Sequence, residues 1–335
     1  MLTCGFRTKK AKAVFLTILA GILWGTSFPA IKIGLSYVDA YMFVFLRFLL
    51  AAAVMLLIML FTKKAAFPAK QKKLILFLGV TNGVAYILQY IGMVSTSAAK
   101  AALFINLSAI WVALLSPKLL GEKLGKRKII GVFAALVGVV FVTTNLNFSM
   151  LSEGQSIGDL LLIASGIIWA FFMIYNKTLV MTCNGVLQSL TWILPATLLP
   201  MFPFIFSSAG QILVLPLQAW LAIIYTAVVC WIIPYYLWLE GLKHISASTS
   251  TILLLSEILV ATAISVILLN EMLTSVSVIG AVFIITAIIL VSVPLRQDVS
   301  ITLNQMVDSI RSLETLIIYQ TLNRNDGRNK KKICC

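Results

Sequence analysis

Ten long apolar runs constrain this chain more than any other feature. They fall at about 13–35, 40–61, 74–94, 98–117, 128–145, 157–177, 185–206, 216–240, 246–269 and 276–295. A run of roughly 18 or more apolar residues, when helical, crosses the roughly 30 Å of hydrocarbon in a bilayer. No water meets the backbone there, so each segment must satisfy its own N–H and C=O groups, as a helix does. Composition agrees: 61% of residues are hydrophobic and 11% charged, against roughly 25% charged in soluble domains. The first run is longer than a signal-peptide core and no small-residue cleavage site follows it. It is expected to be a retained helix.

The runs repeat. Residues Gly241 to Val291, moved back by 149 positions, fall on Gly92 to Val142 without a gap. Eleven of 51 positions are identical, among them Gly92/Gly241, Glu122/Glu271, Gly131/Gly280 and Val142/Val291. The same offset pairs Tyr86 with Tyr235, and an offset of 145 pairs Trp24 with Trp169 and Lys32 with Lys177. Self-similarity at a long fixed period marks two copies of one unit. Each copy holds five runs, and an odd number of crossings leaves the chain on the far side, so the second copy enters from the opposite face. The expected fold is an all-α membrane protein with ten transmembrane helices in two inverted five-helix repeats, 13–145 and 157–295. A basic arm, 1–12, precedes them. A tail, 296–335, follows, and its 3-4 apolar spacing over 299–322 suits an amphipathic helix on the cytoplasmic surface. Repeats of this kind enclose a substrate site near the bilayer midplane.

A net charge of +15 would point to nucleic acid in a soluble chain. Its distribution excludes that partner. With the N-terminus placed in the cytoplasm, the Lys and Arg residues gather in the arm, the links after the second and fourth runs, the tail, and at Lys177 and Lys243. Of 26 such residues, Lys32, Arg47 and Lys100 alone fall toward the other side. Positive charge marks the cytoplasmic face. The expectation is a multi-pass protein of the cell membrane, both termini cytoplasmic, with lipids and a small-molecule substrate as partners. The five cysteines show no metal or disulfide spacing. No cofactor motif is present, since Gly121-Glu-Lys-Leu-Gly-Lys lacks the Walker spacing.

Polar side chains inside the runs nominate a site. Glu257 lies about 11 residues from either end of the ninth run, near the midplane at about 1.5 Å per residue. A carboxyl group there is costly and is a functional candidate by default; the alternative is a hydrogen-bonded residue joining two helices. Asn82, Tyr86, Gln89 and Tyr90 share one face of the third run, and Trp231, Tyr235 and Trp238 recur on the eighth. Two matched stripes suit a cavity wall, or equally a helix–helix contact. Lys32 and Arg47 belong to the outer half; Trp24 lies on the same side of the first run as Lys32, and Trp169 echoes Trp24. Glu122 and Glu271 each precede a helix start, where a carboxylate meets free N–H groups; a cap is expected of both. Pro195, Pro200 and Pro203 are expected to kink or break the seventh run.

The residues Trp24-Gly-Thr-Ser-Phe-Pro-Ala-Ile-Lys32, then Leu46-Arg47-Phe48-Leu-Leu-Ala51, then the two Leu-Leu-x-Glu-x-Leu joints with Gly131 and Gly280 resemble the EamA-type transporters of the drug/metabolite transporter superfamily. The likeness covers about 13–295 and leaves out the tail. It implies ten helices in two inverted repeats, alternating access, and export or exchange of small metabolites, with Lys32, Arg47, Glu122, Glu257 and Glu271 on recurrent family positions. One departure is Ile258, where the family often has Pro. The function expected is a secondary transporter of a small polar or amphipathic metabolite. Lys32 and Arg47 would draw an anionic group and Glu257 would meet a cationic group or carry a proton, so an amino acid would satisfy both ends. Two other readings stand beside it. One is a sensor or scaffold acting through the tail. The other is an intramembrane enzyme, against which stand a lone histidine, His244, and the lack of His-Glu-x-x-His and Gly-x-Ser-x-Gly.

Overall fold

The structure is a computed structural model. It describes residues 2–62, 67–94, 98–148, 157–182, 185–203, 215–269 and 274–292. Glu271 and the tail 296–335 lie outside them. Residues Cys4–Ser292 make one compact unit. The described elements are α1 (Leu2–Gly25), α2 (Ser27–Leu35), α3 (Ala40–Thr62), α4 (Lys72–Val94), α5 (Ala98–Asn106), α6 (Ser108–Leu120), α7 (Lys126–Thr144) and α8 (Ile157–Thr182). They continue with α9 (Val186–Leu198), α10 (Leu217–Ala227), a π-turn (Val228–Ile232), α11 (Ile233–Leu242), α12 (Ala247–Leu254), α13 (Ser256–Leu269) and α14 (Ser275–Ser292). No strand occurs among the described residues. Residues 2–12, read from sequence as an arm, are the first turns of α1.

Eight helical stretches among the described residues are long and apolar enough to cross a membrane. Two of the ten expected runs stand apart. The first is divided between α1 and α2 at Thr26, where Pro29 has no N–H to give the Gly25 carbonyl. The seventh is represented by α9, which contains Pro195 and stops at Leu198, two residues short of Pro200. Leu60, Phe61, Phe133, Leu160 and Ile267 are exposed. So large an apolar surface suits a lipid environment and not water.

Two expected spans are interrupted at matching places. The fourth breaks at Leu107, between α5 and α6, and the ninth at Leu255, between α12 and α13. The eighth contains the π-turn. There Ile233 N–H bonds to Val228 O, five residues back, instead of four.

Close helix approaches come at glycines, and three of them, at Gly21, Gly92 and Gly131, recur in the second half at Gly166, Gly241 and Gly280. A Cβ on Gly92 of α4 would stand 2.7 Å from Leu162 Cγ and 2.9 Å from the Gly158 carbonyl of α8. A Cβ on Gly241 of α11 would meet Thr17 and the Ala13 carbonyl of α1. Adding 145 to Ala13 and Thr17 gives Gly158 and Leu162; adding 149 to Gly92 gives Gly241. Gly21 packs on Leu254 as Gly166 packs on Ile105, under the same offsets. Between α7 and α14, Gly280 packs on Val142 and Gly131 on Val291. Small residues let backbones approach and gain packing contacts that lipid cannot supply.

Candidate functional site

Six aromatic rings close a circuit in the core of the unit. Phe48 of α3 lies 4.9 Å from Tyr86 of α4, and Tyr86 lies 5.0 Å from Trp169 of α8, centroid to centroid. Trp169 meets Phe172 at 5.2 Å, Phe172 meets Tyr235 of α11 at 5.9 Å, and Tyr235 meets Trp231 of the π-turn at 4.7 Å. Trp231 returns to Phe48 at 5.2 Å. Trp238 stacks on Phe172, and Trp24 of α1 meets Trp238 edge-on at 6.0 Å. Each such pair contributes about 0.5–1.5 kcal/mol beyond its buried area. The polar handles are satisfied: Tyr235 OH donates to Asn176 Oδ1 at 2.7 Å, Trp238 Nε1 to Ser250 Oγ at 2.7 Å, and Trp169 Nε1 to Gln89 Oε1 at 3.3 Å. In this conformation the rings contact one another.

Arg47 sits against this circuit and is 2% exposed. Its guanidinium carbon lies 5.5 Å from the centroids of both Phe48 and Tyr86. One nitrogen donates to the Cys230 carbonyl at 3.4 Å, and Nε has no partner. No carboxylate contacts the guanidinium among the described residues. The hydroxyl of Tyr90, a close neighbour of Arg47, is buried and has no partner at full hydrogen-bond geometry. The local chemistry of the eighth span explains the Cys230 carbonyl. Four residues on stands Pro234, which has no N–H to offer it. The Cys230 thiol lies 3.6 Å from Thr26 Oγ1, at the α1–α2 break, and Tyr225 OH donates to that oxygen at 2.8 Å.

Glu257 begins the first turn of α13 just beyond the Leu255 break. A Cβ on Gly25, next to Trp24, would touch the Glu257 carbonyl. The carboxyl group is half-buried and close enough to Tyr86 for electrostatic interaction. No hydrogen bond or ion pair engages it among the described residues. Trp24, Arg47, Tyr86, Gln89, Trp169, Tyr235 and Trp238 are thus brought together around the circuit, with Glu257 at its edge. Asn82 is elsewhere: its Nδ2 donates to Thr197 of α9 at 3.1 Å, in a helix contact that Gly79 and Gly83 also make. Lys32 lies on α2, and its side chain is outside the described residues.

A second polar construction lies at the end of the unit that carries residues 243–246. Glu122 accepts from Ala247 N–H at 2.6 Å, from Ser248 N–H at 3.3 Å and from Ser248 Oγ at 2.9 Å. The expected cap is therefore made on the start of α12, 125 residues away, while α7 starts at Gly125 without a side-chain cap. Lys128 Nζ donates to Ser246 Oγ at 2.9 Å, and Ser246 itself caps α12 through Thr249 N–H. Lys177 Nζ donates to the carbonyls of Leu242 at 2.7 Å and Ile245 at 2.9 Å. It thus gathers carbonyls left without partners where α11 ends.

Sequence reasoning named neither the Cys230–Thr26–Tyr225 cluster nor the Lys177 role. A signal existed for the first: Pro at position 234 orphans the carbonyl at 230. None existed for the second, because Lys177 differs in no local way from other lysines at helix ends.

Two stretches of the chain, 11–144 and 156–293, match the model described as the EamA-like transporter family. An "Uncharacterized transporter" of Archaeoglobus fulgidus is 26% identical over 290 residues, spanning 86% of this chain and 99% of the relative. A "Probable amino-acid metabolite efflux pump" of Escherichia coli is 27% identical over 290 residues, spanning 82% and 92%. Among solved structures, one crystal structure superposes with a TM-score of 0.66 at 18% identity, covering 83% of this chain and 95% of the other. At that identity the likeness is one of fold.

Proposed function

The chain belongs to the EamA-like transporter family, and from that premise we propose that it moves a small amphipathic metabolite, of the kind an amino acid represents, across the cell membrane by alternating access. It is a multi-pass membrane protein of a transporter family, and that membership points to transport rather than catalysis. One observation carries the finer reading. Arg47 is a cation and Glu257 an ionisable acid, both in apolar surroundings, neither paired with the other nor with any other charged residue described. A buried unpaired charge costs several kcal/mol. A substrate bearing both signs would offset that cost while bound, and the aromatic circuit between them offers apolar faces to its body. Relatives named as amino-acid metabolite efflux pumps are compatible with such a cargo.

Two inverted repeats of five spans are the architecture proposed to move it. Three paired glycine contacts support this, at Gly21/Gly166, Gly92/Gly241 and Gly131/Gly280, because they are related by one pair of sequence offsets. So do the matched breaks at Leu107 and Leu255, since discontinuous helices at a repeat interface mark the sites of many secondary transporters. With both termini cytoplasmic, the 243–246 end faces the cytoplasm and the Glu122–Lys128–Lys177 bonds hold it closed in this conformation.

The test is flux. Full-length protein in proteoliposomes is loaded with a panel of labelled amino acids and organic acids, and efflux is followed. Transport of at least one member, lost in empty vesicles, is expected. No flux of any member, together with loss of cellular function on deleting 296–335, would replace the transporter reading with a scaffold acting through the tail.

A further inference from the structure

We propose that Arg47 is the anchor for a single carboxylate on the transported molecule, and that the carboxylate binds by displacing the Cys230 carbonyl. The proposal rests on the transport reading and names the chemistry of its site.

The described buried cations differ in how well they are satisfied. Lys177 and Lys128 sit in partly buried places, and each has oxygen partners at 2.7 to 2.9 Å. Arg47 is more deeply buried and less well served. It has one neutral carbonyl at 3.4 Å, an unpartnered Nε and two aromatic faces. Cation–π contact contributes about 0.5–2 kcal/mol, well short of the several kcal/mol that burying an uncompensated ion costs. A guanidinium is a rigid fork that a carboxylate fills with two parallel bonds of about 2.7–2.9 Å. The site is short of such a partner. Beside it waits a second donor, the Tyr90 hydroxyl, buried and without a partner at full hydrogen-bond geometry.

The ligand class follows from charge. Among the described residues the neighbourhood offers one full positive charge, ringed by Phe48, Tyr86 and Trp231. It can neutralise one negative charge and leaves a second one in an apolar wall. A monocarboxylate therefore fits, and a phosphate or dicarboxylate does not. Tyr90 also lines a small recess with Ala40, Tyr41, Val44, Ile87 and Met201. Tyr90 is the residue this recess shares with the surroundings of Arg47.

The displaced partner is not passive. Pro234 denies the Cys230 carbonyl its ordinary donor, so Arg47 supplies one. When a carboxylate takes the guanidinium, this carbonyl must find another donor by shifting the π-turn. The turn carries Trp231, and Tyr235 follows it, both members of the aromatic circuit. Occupancy at Arg47 is thus conveyed to the rings and to the Cys230 thiol without any proton or electron moving.

The experiment uses purified full-length protein in which Cys4, Cys183, Cys334 and Cys335 are replaced by Ser. It is presented with paired probes, each an amino acid or simple organic monocarboxylate and its uncharged primary amide. Two readouts are taken: thermal stability by tryptophan fluorescence, and the rate at which a small maleimide modifies Cys230. Carboxylates are expected to raise the melting temperature and to change the Cys230 rate by about threefold or more. Amides should do neither. Arg47→Lys, which keeps the charge but loses the fork, should bind the same carboxylates about tenfold more weakly, the equivalent of one charge-assisted bond. Amides as effective as acids, carboxylate effects intact in Arg47→Gln, or no effect from any carboxylate would each overturn the proposal. Should Arg47→Gln fail to fold, the acid–amide comparison in the protein bearing Arg47 still decides. Flux of a monocarboxylate that survives unchanged in Arg47→Gln would reject the carboxylate anchor and leave transport standing.

Discussion

The 243–246 end and the aromatic core treat charge in opposite ways. At the 243–246 end Glu122 accepts three hydrogen bonds and Lys177 serves the carbonyls of a helix terminus at 2.7 and 2.9 Å. In the core Arg47 has one long bond, and no bond engages the Glu257 carboxyl group. Glu122 and Lys177 are partly buried and Arg47 is fully buried, so the more deeply buried charge is the less well satisfied one. A charge with complete, short partners is part of the scaffold, and removing it leaves its partners orphaned. A charge without them adds nothing to the fold that its removal would forfeit, and its expected value lies in what it binds from outside.

The sharpest way to break this contrast is Glu257→Gln. The substitution keeps size and removes the ionisable group. Flux in proteoliposomes should fall by about thirtyfold or more, on the reading that an intramembrane carboxyl group works through its charge. The melting temperature should hold, because no bond to the carboxylate is lost. Normal flux in this variant would sink the functional role and return Glu257 to packing.

Glu122→Ala should do the reverse. It strips two backbone N–H groups and the Ser248 hydroxyl of their acceptor, and a stability loss of about 3 kcal/mol is expected from hydrogen bonds to a charged group. Chemical unfolding in detergent would measure it. With the 243–246 end loosened, a cysteine placed at Ser250 should react faster with an impermeant thiol reagent added from that side. Unchanged reactivity with lowered stability would make that end a support and not a gate.

Lys177→Met keeps the stem and removes the ammonium. Lys177 is itself only partly buried, so water can replace the ammonium in part. About 1 kcal/mol of stability should be lost, with flux nearly unchanged. The smallest effect belongs to Lys243→Met. Its ion pair with Glu240 at 2.8 Å is partly exposed and lies within one helix turn, a class that contributes about 0.5 kcal/mol or less. A large loss there would contradict the rule that complete partners, and not charge itself, identify the scaffold.

Much of the architecture was legible in the sequence because its causes are local. An apolar run in lipid has one way to satisfy its backbone, so the runs at 40–61, 74–94, 128–145 and 157–177 became α3, α4, α7 and α8 with shifts of a few residues. Pro200 announced where α9 could not continue, whereas the break between α1 and α2 fell inside a run read as one helix. The stripes on the third and eighth spans picked out Tyr86, Gln89, Tyr235 and Trp238, which meet around one circuit. Asn82, on the same stripe, turned to Thr197 instead, because a face wide enough to hold four residues touches more than one neighbour.

The sequence by itself determined which segments are helices, that the seventh run is interrupted and that the chain is built twice. These follow from backbone hydrogen bonding, proline chemistry and self-similarity, all readable one segment at a time. Only the tertiary structure decided which charges are satisfied. Glu122 and α12 are 125 residues apart, and so are no nearer in sequence than Arg47 is to many carboxylates it never meets. Whether a buried charge finds a partner depends on which helices pack together and at what rotation, and that is settled by the joint burial of all of them.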